Sequence, residues 1–142
     1  MKQIWLVPLD GSDIALRSIA WIIDNAPALK DVPQIHLINV QPSLPRDISR
    51  FVNADTLRDF HRDTGMAALT TAYEMLTAAG LNPERHVLIG EAAPTLCEFA
   101  TRQGCTQILI GTRGHSGIAG TLLGSVAMRV AHLSSVPVLL VR

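Results

Sequence analysis

Lysine is almost missing from this chain: Lys2 and Lys30 are the only two in 142 residues, and the arginines are scattered. Lys+Arg and Asp+Glu number 12 each, so the formal net charge is zero. A protein that grips nucleic acid by neutralising phosphates needs a basic face or tail, and this sequence has neither. Aromatic residues are scarce as well, at 4%. Few rings are left to sandwich a flavin, and Trp5, Trp21 and Tyr73 fall inside predicted strand or helix, where core packing is their role. Cys97 and Cys105 are too few and wrongly spaced for a zinc motif and read as reduced, mostly buried thiols. No apolar run approaches the roughly 20 residues of a membrane-spanning helix. The opening "MKQIWLVPLDGSD" lacks a longer apolar region and a small-residue cleavage site, so its short apolar run reads as a strand. A cytoplasmic location, away from membrane and nucleic acid, is the expectation.

Catalytic signatures are missing too. The five histidines, His36, His61, His86, His115 and His132, read as scattered over strands, helices and one loop. There is no HExxH, no Ser-His-Asp elbow and no paired-carboxylate site, whereas an enzyme needs a positioned base or nucleophile. No catalytic residue and no metal ligand is assigned.

What is present is a regular alternation. With 48% hydrophobic residues the chain can bury the core of one domain, residues 1–142. Apolar runs at Gln3–Leu9, Gln34–Val40, "RHVLIG", "TQILIG" and "VPVLLVR" predict five strands. Helical spacing lies between them. Ala15, Leu16, Ile19, Ala20 and Ile23 form one inward face, capped by Ser12 or Asp13. Leu69, Ala72, Tyr73, Leu76 and Ala79 form another, within a helix from about Asn53 that Gly80 stops. A third helix carries Pro94 in its first turn, turns Leu96, Phe99 and Ala100 inward and ends at Gly104; "SVAMRVAHL" is the last. The two-proline stretch Gln41–Arg50 reads as a loop long enough to act as a flap or a dimer contact. Strands alternating with helices predict an α/β, doubly wound, five-stranded parallel sheet in the order 3-2-1-4-5, with helices on both faces.

One segment carries candidate chemistry. "GTRGHSGIAGTLLGS" places glycines at 111, 114, 117, 120 and 124, directly after the fourth strand and before the last helix. In open α/β sheets ligands bind beyond the carboxyl ends of the strands, where the strand order reverses. A helix N-terminus there presents unpaired N–H groups and partial positive charge, and glycine lets phosphate oxygens approach. An anion cradle is one reading and a bland connecting loop the other. The lysine of the familiar Gly-Lys-Ser/Thr phosphate loop is missing, which excludes that loop but not nucleotide binding. Arg113 and His115 can offset phosphate charge or simply be exposed loop side chains. Asp10, in "VPLDGSD" after the first strand, faces the same crevice if strands one and four are neighbours. It either contacts the nucleoside end of a ligand or makes an Asx-type turn.

These residues resemble the universal stress proteins. Nucleotide-binding members carry Gly, two residues, Gly, nine residues, then Gly-Ser/Thr; here Gly111, Gly114 and Gly124–Ser125 match in full. "VPLDGSD" is similar to the family's opening strand and turn, and "SVPVLLVR" to its closing strand. The nine-residue spacer departs from the family in holding only His115 as a chargeable residue. The resemblance implies a Rossmann-like, adenine-nucleotide-binding fold that takes ATP, or ADP or AMP, with Mg or Mn as candidate metals. It implies phosphate and ribose contacts at Gly111, Gly114, Gly124 and Ser125, with a backbone N–H from Val126. Asp10 and Pro8 match the positions near the adenine, and Val40 the position whose backbone contacts the base. It implies a homodimer through the last strand, Val136–Arg142, and a regulatory protein partner that the sequence does not name. A dimeric stress-response binding module is the function expected; the alternative is a slow ATPase of the same fold.

Overall fold

The computed structural model describes residues 2–112 and 124–142. Five strands, β1 (Ile4–Pro8), β2 (Gln34–Gln41), β3 (Glu84–Ile89), β4 (Gln107–Gly111) and β5 (Val138–Val141), form one parallel sheet in the order β3-β2-β1-β4-β5. This is the expected order. The helices are α1 (Leu16–Asn25), the single turn α2 (Arg46–Ser49), α3 (Ala54–Ala78), α4 (Ala92–Arg102) and α5 (Ser125–Leu133).

Both faces of the sheet are covered, which is why the strands are apolar throughout rather than alternating. Trp5, Val7, Ile35, Leu37 and Leu109 point to one face, beneath Ile19 and Ile22 of α1 and Leu69, Ala72 and Leu76 of α3. Leu6, Ile38, Ile108 and Ile110 point to the other, beneath Leu96 and Phe99 of α4 and Ala127 and Val130 of α5. Side chains such as Leu37, fully buried here, each stabilise the fold by about 1.5–3 kcal/mol through apolar area removed from water. Trp5 and Trp21 meet at 6.0 Å between ring centroids, as core rings. Cys97 and Cys105 are free thiols, and burial pushes both above the ordinary thiol value, so neither is a ready thiolate.

Local chemistry sets the helix ends. The Ser12 hydroxyl accepts from Ala15 N–H (3.2 Å) and so supports the turn that leads into α1. Asn53 caps α3 by accepting from Thr56 N–H at 2.9 Å. At the other end Gly80 takes φ 82°, while Leu81 N–H and Gly80 N–H donate to Leu76 and Thr77 carbonyls, a Schellman closure.

Four expectations need correction. Ala20 and Ala79 are exposed rather than inward. In α1 the inward position goes to Ser18, whose hydroxyl donates to the Ala15 carbonyl (2.8 Å) and so tolerates burial; Ala79 falls at the C-terminal turn of α3. The Gln41–Arg50 loop gives up Gln41 to β2, where it pairs with Ile89, and contains the turn α2. The last strand is shorter than Val136–Arg142, because Pro137 has no N–H and joins the ladder only through its carbonyl, which accepts from Ile108.

Candidate functional site

The crevice follows from how β1 pairs. It runs beside β2 from Ile4–Gln34 to Pro8–Ile38, but beside β4 only at Trp5–Gln107 and Leu6–Ile108. Pro8 has no N–H to extend either ladder. Beyond Leu6 the β1–β4 pairing stops, at the point where strand order reverses, and a cavity of about 650 Å³ including its open mouth lies there.

Three groups of residues form its walls. Pro8, Asp10, Asn39 and Val40 come from the carboxyl ends of β1 and β2. Leu96, Ile110 and Ala127 give it an apolar floor. Gly111, Gly124, Ser125 and Val126 come from the end of β4 and the start of α5. Pro8, Asp10, Val40, Gly111, Gly124, Ser125 and Val126, all singled out from the sequence, thus line one cavity. Arg113, Gly114 and His115 lie outside the described residues.

The start of α5 presents backbone donors at the cavity wall. Gly124 is its N-cap, in extended backbone (φ −68°, ψ 157°), and its own N–H donates to the Thr112 carbonyl. That bond ties the end of β4 to the start of α5, and Thr112 N–H is held in turn by the Val141 carbonyl at 3.0 Å. The first intrahelical bond is Met128 N–H to Gly124 carbonyl (3.0 Å), so the N–H groups of Ser125, Val126 and Ala127 precede the helical ladder at the cavity wall. Together with the helix dipole they make an anion-accepting end.

The opposite wall is fixed by carboxylate and amide bonds. Asp10 Oδ1 accepts from Ser12 N–H (2.9 Å) and from the Ser12 hydroxyl (2.6 Å) while Gly11 takes φ 85°. The Asx-type turn is therefore present, and the carboxylate still sits at the rim of the cavity. Sequence reading missed Asn39. Its amide is buried, donates to the Leu9 carbonyl (2.8 Å) and accepts from Gln41 Nε2 (2.6 Å), tying the end of β1 to β2. The signal was a lone amide pair in "LINVQ", inside an otherwise apolar strand.

Chemically, the cavity combines backbone donors at one end, an apolar slot in the middle and polar groups at the other rim. That suits an elongated ligand with an anionic end and a flat, partly apolar end.

Comparison with known proteins agrees with this geometry. The sequence model of the Universal stress protein family matches residues 1–142. A universal stress protein of Methanocaldococcus jannaschii is 31% identical, aligned over 96% of this chain and 80% of its own length. Among solved structures, a universal stress protein in complex with cAMP is 28% identical and superposes with a TM-score of 0.72, covering 99% of this chain and 97% of that one. The universal stress protein from Archaeoglobus fulgidus shares the fold, with a TM-score of 0.74 at 21% identity over 100% and 99% of the two chains. With a match that spans the chain from end to end and a relative this similar in sequence, the chain belongs to the universal stress protein family.

Proposed function

We propose that this protein binds an adenine nucleotide in the β1–β4 crevice and works as a dimeric regulatory module, not as a fast enzyme. The supporting observation is the layout of one cavity. The start of α5, with its backbone N–H groups, lines it on the β4 side, for phosphate, and Val40 and Pro8 line it on the β2–β1 side, for the base. A family member with 28% identity has been solved with cAMP, a ligand of the same chemical class. ATP is the ligand we assign, with ADP and AMP as shorter versions that use the same contacts. The site residues are Pro8, Asp10, Val40, Gly111, Gly124, Ser125 and Val126, together with Arg113, Gly114 and His115 of the glycine segment.

A divalent Mg or Mn ion would enter with the phosphates, whose oxygens and water supply most of its ligands. The Ser125 hydroxyl is an oxygen group at that end of the cavity lining that can complete the set. The walls supply binding chemistry, namely backbone donors and apolar surface, and we assign no catalytic residue. Calorimetric titration of nucleotide-free protein with ATP, ADP, AMP and cAMP is expected to give one site per chain, with phosphate release far slower than exchange. Failure of all four to bind would overturn the reading; rapid phosphate release would make the protein an ATPase instead.

The homodimer is assigned to the segment Val136–Arg142. In the sheet order β5 is an edge, and Leu140 on it is 38% exposed. An apolar edge strand of this kind needs pairing or covering. Leu140→Glu is expected to convert a dimer to a monomer in light scattering after size exclusion, with the far-ultraviolet circular dichroism unchanged. A wild-type chain that elutes as a monomer at all concentrations would remove the dimer from the proposal. The regulatory partner and the cytoplasmic setting belong to the same reading; among the described residues no helix is long and apolar enough to cross a membrane.

A further inference from the structure

At the amino end of the sheet, opposite the crevice, three ligating side chains converge that are far apart in sequence. His36 of β2 lies directly across from Glu84 of β3, and His86 follows two residues later on the same face. His36 Nδ1 and His86 Nε2 are 2.9 Å apart. Glu84 Oε2 is 3.6 Å from the first and 3.7 Å from the second.

Those three atoms define a specific space. A triangle with sides of 2.9, 3.6 and 3.7 Å has a circumradius of about 2.0 Å, so one central point is about 2.0 Å from all three atoms. Bonds from zinc to histidine nitrogen run about 2.0–2.1 Å and to carboxylate oxygen about 2.0–2.2 Å. The carboxylate oxygen is too far from either nitrogen for a good hydrogen bond, yet almost equidistant from both.

The surroundings hold the cluster in place. The rings are packed on Phe99 of α4, with centroids 5.6 Å (His36) and 4.9 Å (His86) from it, and His36 is buried. Gln34 Nε2 stands 3.3 Å from His36 Nε2 and 3.2 Å from Glu84 Oε1. That amide donates to the carboxylate and holds it beside the His36 ring, an outer support for a ligating group. His86 and Glu84 reach solvent, at 28% and 55% side-chain exposure, and so leave a path for the ion and room for a fourth ligand.

We propose that His36, Glu84 and His86 form a binding site for one divalent transition-metal ion of the zinc class, separate from the nucleotide crevice. Two nitrogens and one carboxylate oxygen with an open fourth position is a donor set suited to zinc and not to magnesium or calcium, which prefer all-oxygen shells.

The test uses untagged, chelator-treated and nucleotide-free protein, with Zn²⁺ in equilibrium dialysis and Co²⁺ as a spectroscopic probe. One zinc per chain and a four-coordinate Co²⁺ absorption band are expected. Glu84→Gln, a surface change that preserves shape, is expected to weaken zinc binding at least about tenfold, and His86→Gln at least about a hundredfold. Cys97→Ser should leave binding unchanged, which excludes the thiol as the ligand. Each variant is checked for folding by circular dichroism. No saturable binding by the parent protein, or binding undiminished in both the Glu84 and His86 variants, overturns the proposal.

Discussion

Ser125→Pro is expected to keep the protein folded and to cut its affinity for ATP and AMP by about 10- to 150-fold, the equivalent of about 1.5–3 kcal/mol for a hydrogen bond to a charged group. Ser125 is the first residue of α5 and follows Gly124 in extended backbone. Proline is well tolerated at a first helical position, its φ fits, and the residue before it prefers the extended conformation that Gly124 already has. The substitution therefore removes one N–H and one hydroxyl from the cavity wall without straining the helix. Adenosine, which carries no phosphate, should bind the variant and the parent within about twofold, since it forgoes the bond concerned. Calorimetry on the two ligands makes the comparison. Equal losses for adenosine and AMP would mean a general distortion of the crevice. Unchanged affinity for both would place the phosphates away from α5.

Gly65→Ala is expected to destabilise the fold by about 1–3 kcal/mol, although alanine is the better helix former by about 1 kcal/mol. Gly65 is buried in α3, against Val87 of β3. A Cβ added there would sit 2.4 Å from Cγ1 and 2.6 Å from Cγ2 of Val87. Valine has one stiff torsion and cannot swing both methyls away, so helix or strand must shift. For a chain of this size the midpoint of thermal unfolding should fall by roughly 4–12 °C. Adding Val87→Ala removes the colliding methyls, and the double variant should recover part of the loss, a coupling of about 0.5–3 kcal/mol in a double-mutant cycle. A single variant more stable than the parent would show that α3 has room to move off the sheet.

The strand and helix pattern was legible because each element repeats its apolar residues at its own period over several turns or pleats. "QILI" and "VLLV" lack alternation, which already points to a sheet covered on both faces. The reading slipped where period says nothing. Ala20 fits a helical face as well as Ser18 does, and only the bond from the Ser18 hydroxyl to the Ala15 carbonyl allows the polar residue inside. The turn α2 is too short to show a period, and Pro137 delays the last strand for want of one N–H.

The site divides in the same way. The spacing of Gly111, Gly114 and Gly124–Ser125 is local, and the rule that ligands sit beyond strand ends turns a strand–loop–helix sequence into a location. Asn39 escaped notice because its role depends on the Leu9 carbonyl, thirty residues away. His36 and His86 escaped for the same reason: they are 50 residues apart and read as separate strand positions until β2 and β3 pair.

By itself, then, the sequence determined what short-range chemistry can determine: the order of elements, the glycine segment, the helix N-terminus that follows it and the family they resemble. Only the tertiary structure decided which distant side chains share a space. Ladder register, the early end of the β1–β4 pairing and the face each side chain takes brought Pro8 and Val40 to the cavity of Ser125, and His36 to Glu84 and His86. The physical reason is that a strand's side chains alternate with period two, so contacts across the sheet depend on a pairing offset that no stretch of one strand contains.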